Sequence, residues 1–118
     1  VNNSSIVIKM TLGGKTVMFL GDLGVEAGEK LLGMYGEKLK SDYCQMAHHG
    51  QNGVTREVYA AVAPECCLWC TPQWLWDNNA GKGYNTHCWQ TIIVRAWMDE
   101  LGVSRHYAVK DGDQHIDL

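Results

Sequence analysis

The chain has 118 residues, 46% of them hydrophobic and 19% charged, and a formal net charge of -3. That is enough for one domain with a buried core, and it excludes disorder. With no basic stripe and no apolar run near about 18 residues, nucleic-acid binding by this segment alone and a membrane span are not expected. In chain order, Ser5 to Thr11 is β-branched and reads as a strand, Gly13-Gly14 as a tight hairpin turn, and Thr16 to Leu20 as the apolar returning strand, ended by Gly21-Asp22. Val25 to Leu39 has the one-sided apolar pattern of a helix, with Gly28, Gly33 and Gly36 predicting a kink or an early end. Asp42 to Ala47 is a short strand that stops at His48-His49-Gly50. Gln51 to Gly53 is a loop; Thr55 is placed to cap a helix through Ala63, and Pro64 stops it.

Cys66 to Cys70 is a further buried strand, followed by a long polar and aromatic loop from Thr71 to Asn85. A loop of that length is usually functional or mobile. Thr86 is placed to cap a helix running to Leu101, closed by Gly102. His106 to Val109 and Gln114 to Asp117 read as a last hairpin, which leaves His106 and His115 exposed and without a role. The order ββαβαβαββ predicts a layered α/β fold in a single domain over residues 1–118.

Two stretches carry chemistry. Phe19-Leu20-Gly21-Asp22 and Met46-Ala47-His48-His49-Gly50 each end an apolar strand in polar groups. Parallel strands side by side end at the same sheet edge, where ligands of open α/β sheets collect. A carboxylate and an imidazole delivered there are ligands that zinc, manganese or iron accept. The alternatives are a helix N-terminal carboxylate at Asp22 and a polar turn at His48 and His49. Adjacent residues leaving a strand point to opposite sides, so both histidines are not expected on one ion.

Five cysteines, an odd number without regular spacing, argue against a disulfide framework and for a reducing, cytoplasmic compartment. Cys67-Leu68-Trp69-Cys70 matches C-x-x-C, yet residues three apart on a strand face opposite sides, and Pro72 blocks the helix that a redox motif needs. The structural reading is therefore preferred, and Cys44 and Cys88 are core or surface singles. Trp74 and Trp76 can form an aromatic wall for a choline-like cation or a sugar, or can cover a core.

A strand ending in Gly-Asp, a helix, then a strand ending in His-His-Gly resembles the C-terminal half of the metallo-β-lactamase fold. The nearest branch holds the ComEC-type competence proteins and the phosphorylcholine esterases. Asn2-Asn3-Ser4-Ser5, Asn85-Thr86-His87, Glu100-Leu101-Gly102 and Asp111-Gly112-Asp113 fit the same pattern, so the resemblance covers nearly the whole chain. It implies half of an αββα sandwich from a dinuclear metal hydrolase, of phosphodiesterase or esterase type, with two zinc ions in the complete fold or manganese or iron in their place. Asp22 would bridge the ions, His49 would bind the second with His48 as the alternative ligand, and His87 would sit over the site against substrate or leaving group.

The family's His-x-His-x-Asp-His motif is absent from these residues. The resemblance then implies a chain inactive by itself, its metal partial or absent, and either a fragment of a longer hydrolase, which the missing Met and the start inside a strand favour, or a naturally separated half. Its partner would be the missing N-terminal half, or a second copy covering the exposed sheet face. The competing reading is a non-catalytic α/β interaction module that keeps the fold without the chemistry. A cysteine redox protein is the third.

Overall fold

The computed structural model describes residues 5–118, so the Asn2-Asn3-Ser4 part of the first motif lies outside the described residues. The chain is α/β. Its elements are β1 (Ile8–Leu12), β2 (Lys15–Phe19), α1 (Val25–Tyr35), β3 (Tyr43–Gln45), α2 (Arg56–Val62), β4 (Cys66–Trp69), α3 (Gln73–Trp76), α4 (Thr91–Glu100) and β5 (Arg105–Ala108). Short 3₁₀ turns cover Gly36–Leu39, Ala47–Gly50 and Val109–Asp111. The sheet order is β1-β2-β3-β4-β5, antiparallel in the first pair and parallel in the rest. Gly13 and Gly14 both have positive φ, as a two-residue hairpin that follows the sheet twist requires.

Strand order equals chain order, and crossovers between parallel strands are right-handed. Every connecting helix therefore lies on the same face. Period-two alternation sends Met18, Leu20, Cys44, Met46, Cys67 and Trp69 to that face, where they are buried against Val58, Tyr59, Val62, Val94 and Met98. The intervening residues, Val17, Tyr43 and Cys66 with Phe19, Leu68 and Tyr107, form a second apolar face.

That second face meets Ile116 of the C-terminal tail. The expected final strand over Gln114–Asp117 does not form: the 3₁₀ turn at Val109–Asp111 and the positive φ of Gly112 carry the chain off the sheet edge. With one apolar residue in the stretch, the tail gains more by laying Ile116 on the sheet than by extending it. His106 is exposed, but it is not idle. Its Nδ1 accepts from Trp69 Nε1 at 3.0 Å, and its Nε2 donates to the Val103 carbonyl at 3.1 Å.

Other boundaries shift for local reasons. The first helix ends at Tyr35, where the Gly36 amide turns back to the Leu32 carbonyl. Thr55 precedes α2 without a side-chain cap bond. Thr86 caps nothing; its hydroxyl donates to the Gly83 carbonyl at 2.7 Å, and α4 starts at Thr91. Within the long loop, Pro72 opens the single helical turn of α3.

Asp42 fastens the start of β3 to β2. Its Oδ2 accepts from the Thr16 amide at 2.9 Å and from the Thr16 hydroxyl at 3.1 Å. The backbone bond from Thr16 is the main reason its carboxyl is held below the ordinary value of 3.8, with Lys15 and Lys40 adding attraction. A depressed carboxyl stabilises the fold fully above its unfolded value and loses that contribution as pH falls through the folded value. Thermal melts should therefore show the parent losing Tm below about pH 4, and Asp42→Asn should start lower at pH 7 and lose less on acidification. Parallel acid profiles for the two proteins would refute this.

Candidate functional site

The loops after β2, β3 and β4 meet over one edge of the sheet. β2 is followed by buried Leu20, then Gly21 with φ of 60°, then Asp22. β3 ends in Gln45, whose side chain stitches the two strand exits together. Gln45 Oε1 accepts from the Leu20 amide at 3.0 Å and the Gly21 amide at 2.9 Å, while Nε2 donates to the Met46 carbonyl at 2.7 Å. The His48 amide then donates to the Gly21 carbonyl at 2.8 Å.

His48, His49 and Gly50 form a run of left-handed residues, with φ of 51°, 61° and 83°. The conformation costs about 1–2 kcal/mol for each non-glycine residue. Tertiary bonds offset it. The Thr71 hydroxyl donates to the His49 carbonyl at 2.6 Å, and the Ala47 amide donates to the buried Tyr59 hydroxyl at 3.2 Å. Gly50 lies flat against Trp69; a Cβ there would sit 2.4 Å from Trp69 Cε3.

This turn brings His49 to Asp22. His49 Nε2 is 3.8 Å from Asp22 Oδ1, and the two side chains are 51% and 52% exposed. His49 Nδ1 lies 3.0 Å from the Cys70 carbonyl. A proton on Nδ1 donated to that carbonyl leaves the Nε2 lone pair facing Asp22, the arrangement in which histidines ligate metals. At 3.8 Å the pair is too far apart for a hydrogen bond, yet close enough for one ion to lie about 2.0–2.2 Å from both atoms. These donors fit zinc, manganese or iron, but they are two where a catalytic zinc takes three plus water. Among the described residues no group of three or more His, Cys, Asp and Glu is gathered for a metal.

His48 turns elsewhere. Its Nδ1 lies 2.8 Å from the Asn52 carbonyl, and its ring centre is 6.2 Å from that of His49. Asn52 in turn accepts the Gln90 amide on Oδ1 at 2.8 Å, tying the His-His turn to the segment before α4. His87 is not among the donors at the pair; its ring lies 4.1 Å from that of Trp89. Trp74 and Trp76 do not share a wall. Trp76 meets Trp69 edge-on at 5.1 Å beneath the Arg95 guanidinium, whereas Trp74 pairs with Trp89 at 5.2 Å. Cys67 is buried and Cys70 exposed, and burial pushes the Cys67 thiol up to about 12, which suits packing rather than thiolate chemistry.

Sequence reasoning passed over Gln45 and Thr71 and placed Asn52 only in the loop that follows the two histidines. Gln45 carried a signal, as the one amide in an otherwise apolar strand immediately before a polar exit.

No protein-family model matches the chain. It is 37% identical over 65 residues to competence protein ComA of Neisseria gonorrhoeae, a match covering 54% of this chain and 9% of that protein. It is 34% identical over 58 residues to ComE operon protein 3 of Bacillus subtilis strain 168, covering 49% and 7%. The uncharacterized protein YcaI of Escherichia coli K12 is 33% identical over 51 residues, covering 43% and 7%. About half of this chain is related in sequence to competence proteins. The matched segment spans less than a tenth of each relative's length.

Two substitutions test how the edge is built. Gly50→Ala meets both Trp69 and a positive φ, and should cost about 2–4 kcal/mol. Gln45→Ala leaves two strand-exit amides without their acceptor and should cost about 1–3 kcal/mol. Urea unfolding midpoints measure both; an unchanged midpoint for either would show that the contact is dispensable.

Proposed function

We propose that this chain is the C-terminal part of a metal-dependent hydrolase of metallo-β-lactamase type, acting on a phosphodiester or ester within a competence-type protein. The observation that carries the reading is the Asp22–His49 pair, held at the carboxyl edge of parallel strands with His49 Nε2 facing Asp22 Oδ1 at 3.8 Å. The competence relatives add support over about half of the chain.

Asp22 and His49 would hold the metal. A bound divalent ion supplies Lewis acidity and a water deprotonated near neutral pH. The protein's part is positional. Gly21 and Gln45 fix where Asp22 leaves β2, the Cys70 carbonyl fixes which imidazole nitrogen is available, and Trp69 keeps the turn in register. With two carboxylate oxygens, Asp22 would be the residue able to serve both ions of a dinuclear site. The remaining donors would come from outside these residues, and the second apolar sheet face, with Phe19, Leu68 and Tyr107 partly covered, is where the other half of a sandwich would lie. Without that half, a second copy would cover the same face, and the chain alone would not turn over.

The second reading, an interaction module without chemistry, is favoured by the donor count: among the described residues two are gathered and no third. Metal analysis separates the two. Elemental analysis of the purified chain after zinc or manganese loading should find retained metal that is lost in Asp22→Ala and in His49→Ala. Metal retained in both variants, or none in the parent and none in a longer natural chain, would leave the module reading. Light scattering should also show mass rising with concentration, by mass action. A constant monomer mass would argue against self-association through the sheet face.

A further inference from the structure

The helix layer stops short of the first strand. β1 is the edge of the sheet, and all five of its residues are exposed. Gly28 supplies the reason. It is the one buried residue of α1, and a Cβ there would sit 2.7 Å from Val54 Cγ1, so its absence lets the helix press toward the segment before α2. A helix held on that side leaves the helix-facing side of β1 bare.

Between α1 and β1 runs an apolar seam made of two cavities of about 320 and 310 Å³, which share Val7, Leu31 and Tyr35 as walls. The first is floored by Met18 and Leu39, both buried, and the second continues to Leu23, Ala27 and Met34. From Tyr35 back to Ala27 the seam follows α1 for about 12 Å. Met34 and Tyr35 stand exposed on its rim. Neither cavity is lined by Asp22 or His49.

The charged lining is all of one sign. Lys9 and Lys38 border the first cavity and Lys30 the second, and no acid lines either. Lys9 is the register partner of Met18, so its stem lies on the helix side of β1, and its Nζ reaches across to donate to the Lys38 carbonyl at 2.7 Å. Lys30 is engaged by Glu26 at 3.7 Å, whereas among the described residues no ion pair joins Lys9 or Lys38 to an acid. An inward lysine on an edge strand guards against edge-to-edge pairing, but that purpose needs no cavity beneath it.

The chemistry narrows the ligand. Cavities of this size are those of small-molecule sites. Apart from the lysines, the polar side chains of the seam are the hydroxyls of Ser5 and Tyr35, so a sugar or a peptide backbone would leave hydrogen-bonding groups unpaired there. An unbranched alkyl chain has none to lose. The two lysines without an acid lie at one end and set its direction. We infer that the seam between β1 and α1 binds a medium-chain fatty acid, its carboxylate at Lys9 and Lys38 and its methyl end toward Leu23 and Met34. The site does not rest on the hydrolase reading.

Titration calorimetry with decanoate, below its micelle concentration, tests the site. Binding should saturate at one chain per protein and tighten about fourfold for each CH₂ added from octanoate to decanoate. Decyltrimethylammonium should bind more weakly than decanoate, and Lys9→Gln combined with Lys38→Gln should remove that preference. Methionine-methyl NMR locates the chain: decanoate should move the Met18 and Met34 signals and leave Met10, on the other face of the sheet, unmoved. Val7→Trp, confirmed folded by circular dichroism, should fill the seam and weaken binding at least about tenfold, as losing two buried CH₂ groups would. No saturable binding, shifts led by Met10, decyltrimethylammonium binding as well as decanoate, or full affinity in Val7→Trp would overturn the assignment. So would Met18 and Met34 signals that move on dilution of the protein alone, which would make the occupant a second copy.

Discussion

Trp69 leaves room beside it for a glycine at position 50 and for nothing larger. The indole is nearly fully buried on β4, and Gly50 lies against its six-membered ring. Gly50 closes a run of left-handed residues whose other members, His48 and His49, would not choose that conformation locally. The close approach lets the chain leaving β3 fold back over the sheet edge, so that His49 Nε2 is turned toward Asp22 while both side chains stay half exposed. A polar residue is thus aimed by an apolar contact from a neighbouring strand, and the conformational cost at two histidines is met by the hydrophobic core.

The alternation of Met18, Leu20, Cys44, Met46, Cys67 and Trp69 with their outward neighbours was legible, because a period of two is written into the residue order. So was the delivery of Asp22 and the His48-His49 pair to one sheet edge, which requires only that β2 and β3 run parallel and adjacent. The left-handed turn was not legible: nothing local distinguishes His48-His49 from an ordinary strand exit, and the contacts that stabilise it come from Gly21, Thr71 and Trp69. The separation of Trp74 from Trp76 was hidden for a different reason. Residues two apart on one helical turn point about 200° apart, so α3 sends one ring inward and the other out. Thr86 has the right chemistry for a cap, but its hydroxyl found Gly83 first, and the Gln114–Asp117 stretch had too little apolar surface to hold an edge strand.

The cysteines show how far burial overrides motif. Cys44 and Cys67 are register partners on β3 and β4, both facing the helix layer, and burial raises both thiols. Cys66 lies on the opposite face among Val17 and Tyr43. These sulfurs serve as small apolar side chains in a tight sheet. The two cysteines of the C-x-x-C segment contribute only a main-chain oxygen to the candidate site, the Cys70 carbonyl 3.0 Å from His49 Nδ1.

The coincidence of strand order with chain order has a kinetic consequence. Each strand pairs with the one immediately before it in the chain, so no pairing skips a strand, while each parallel pair must still close the 20 to 35 residues that separate its members. The sheet can grow one strand at a time from the β1–β2 hairpin. Asp42 and Gln45 can join β3 to β2 before β4 is in place, but Trp69 and Thr71 cannot act until β4 has docked. The His-His turn therefore becomes rigid one step after the strands it connects, and Asp22 waits in position for a histidine whose orientation is fixed last.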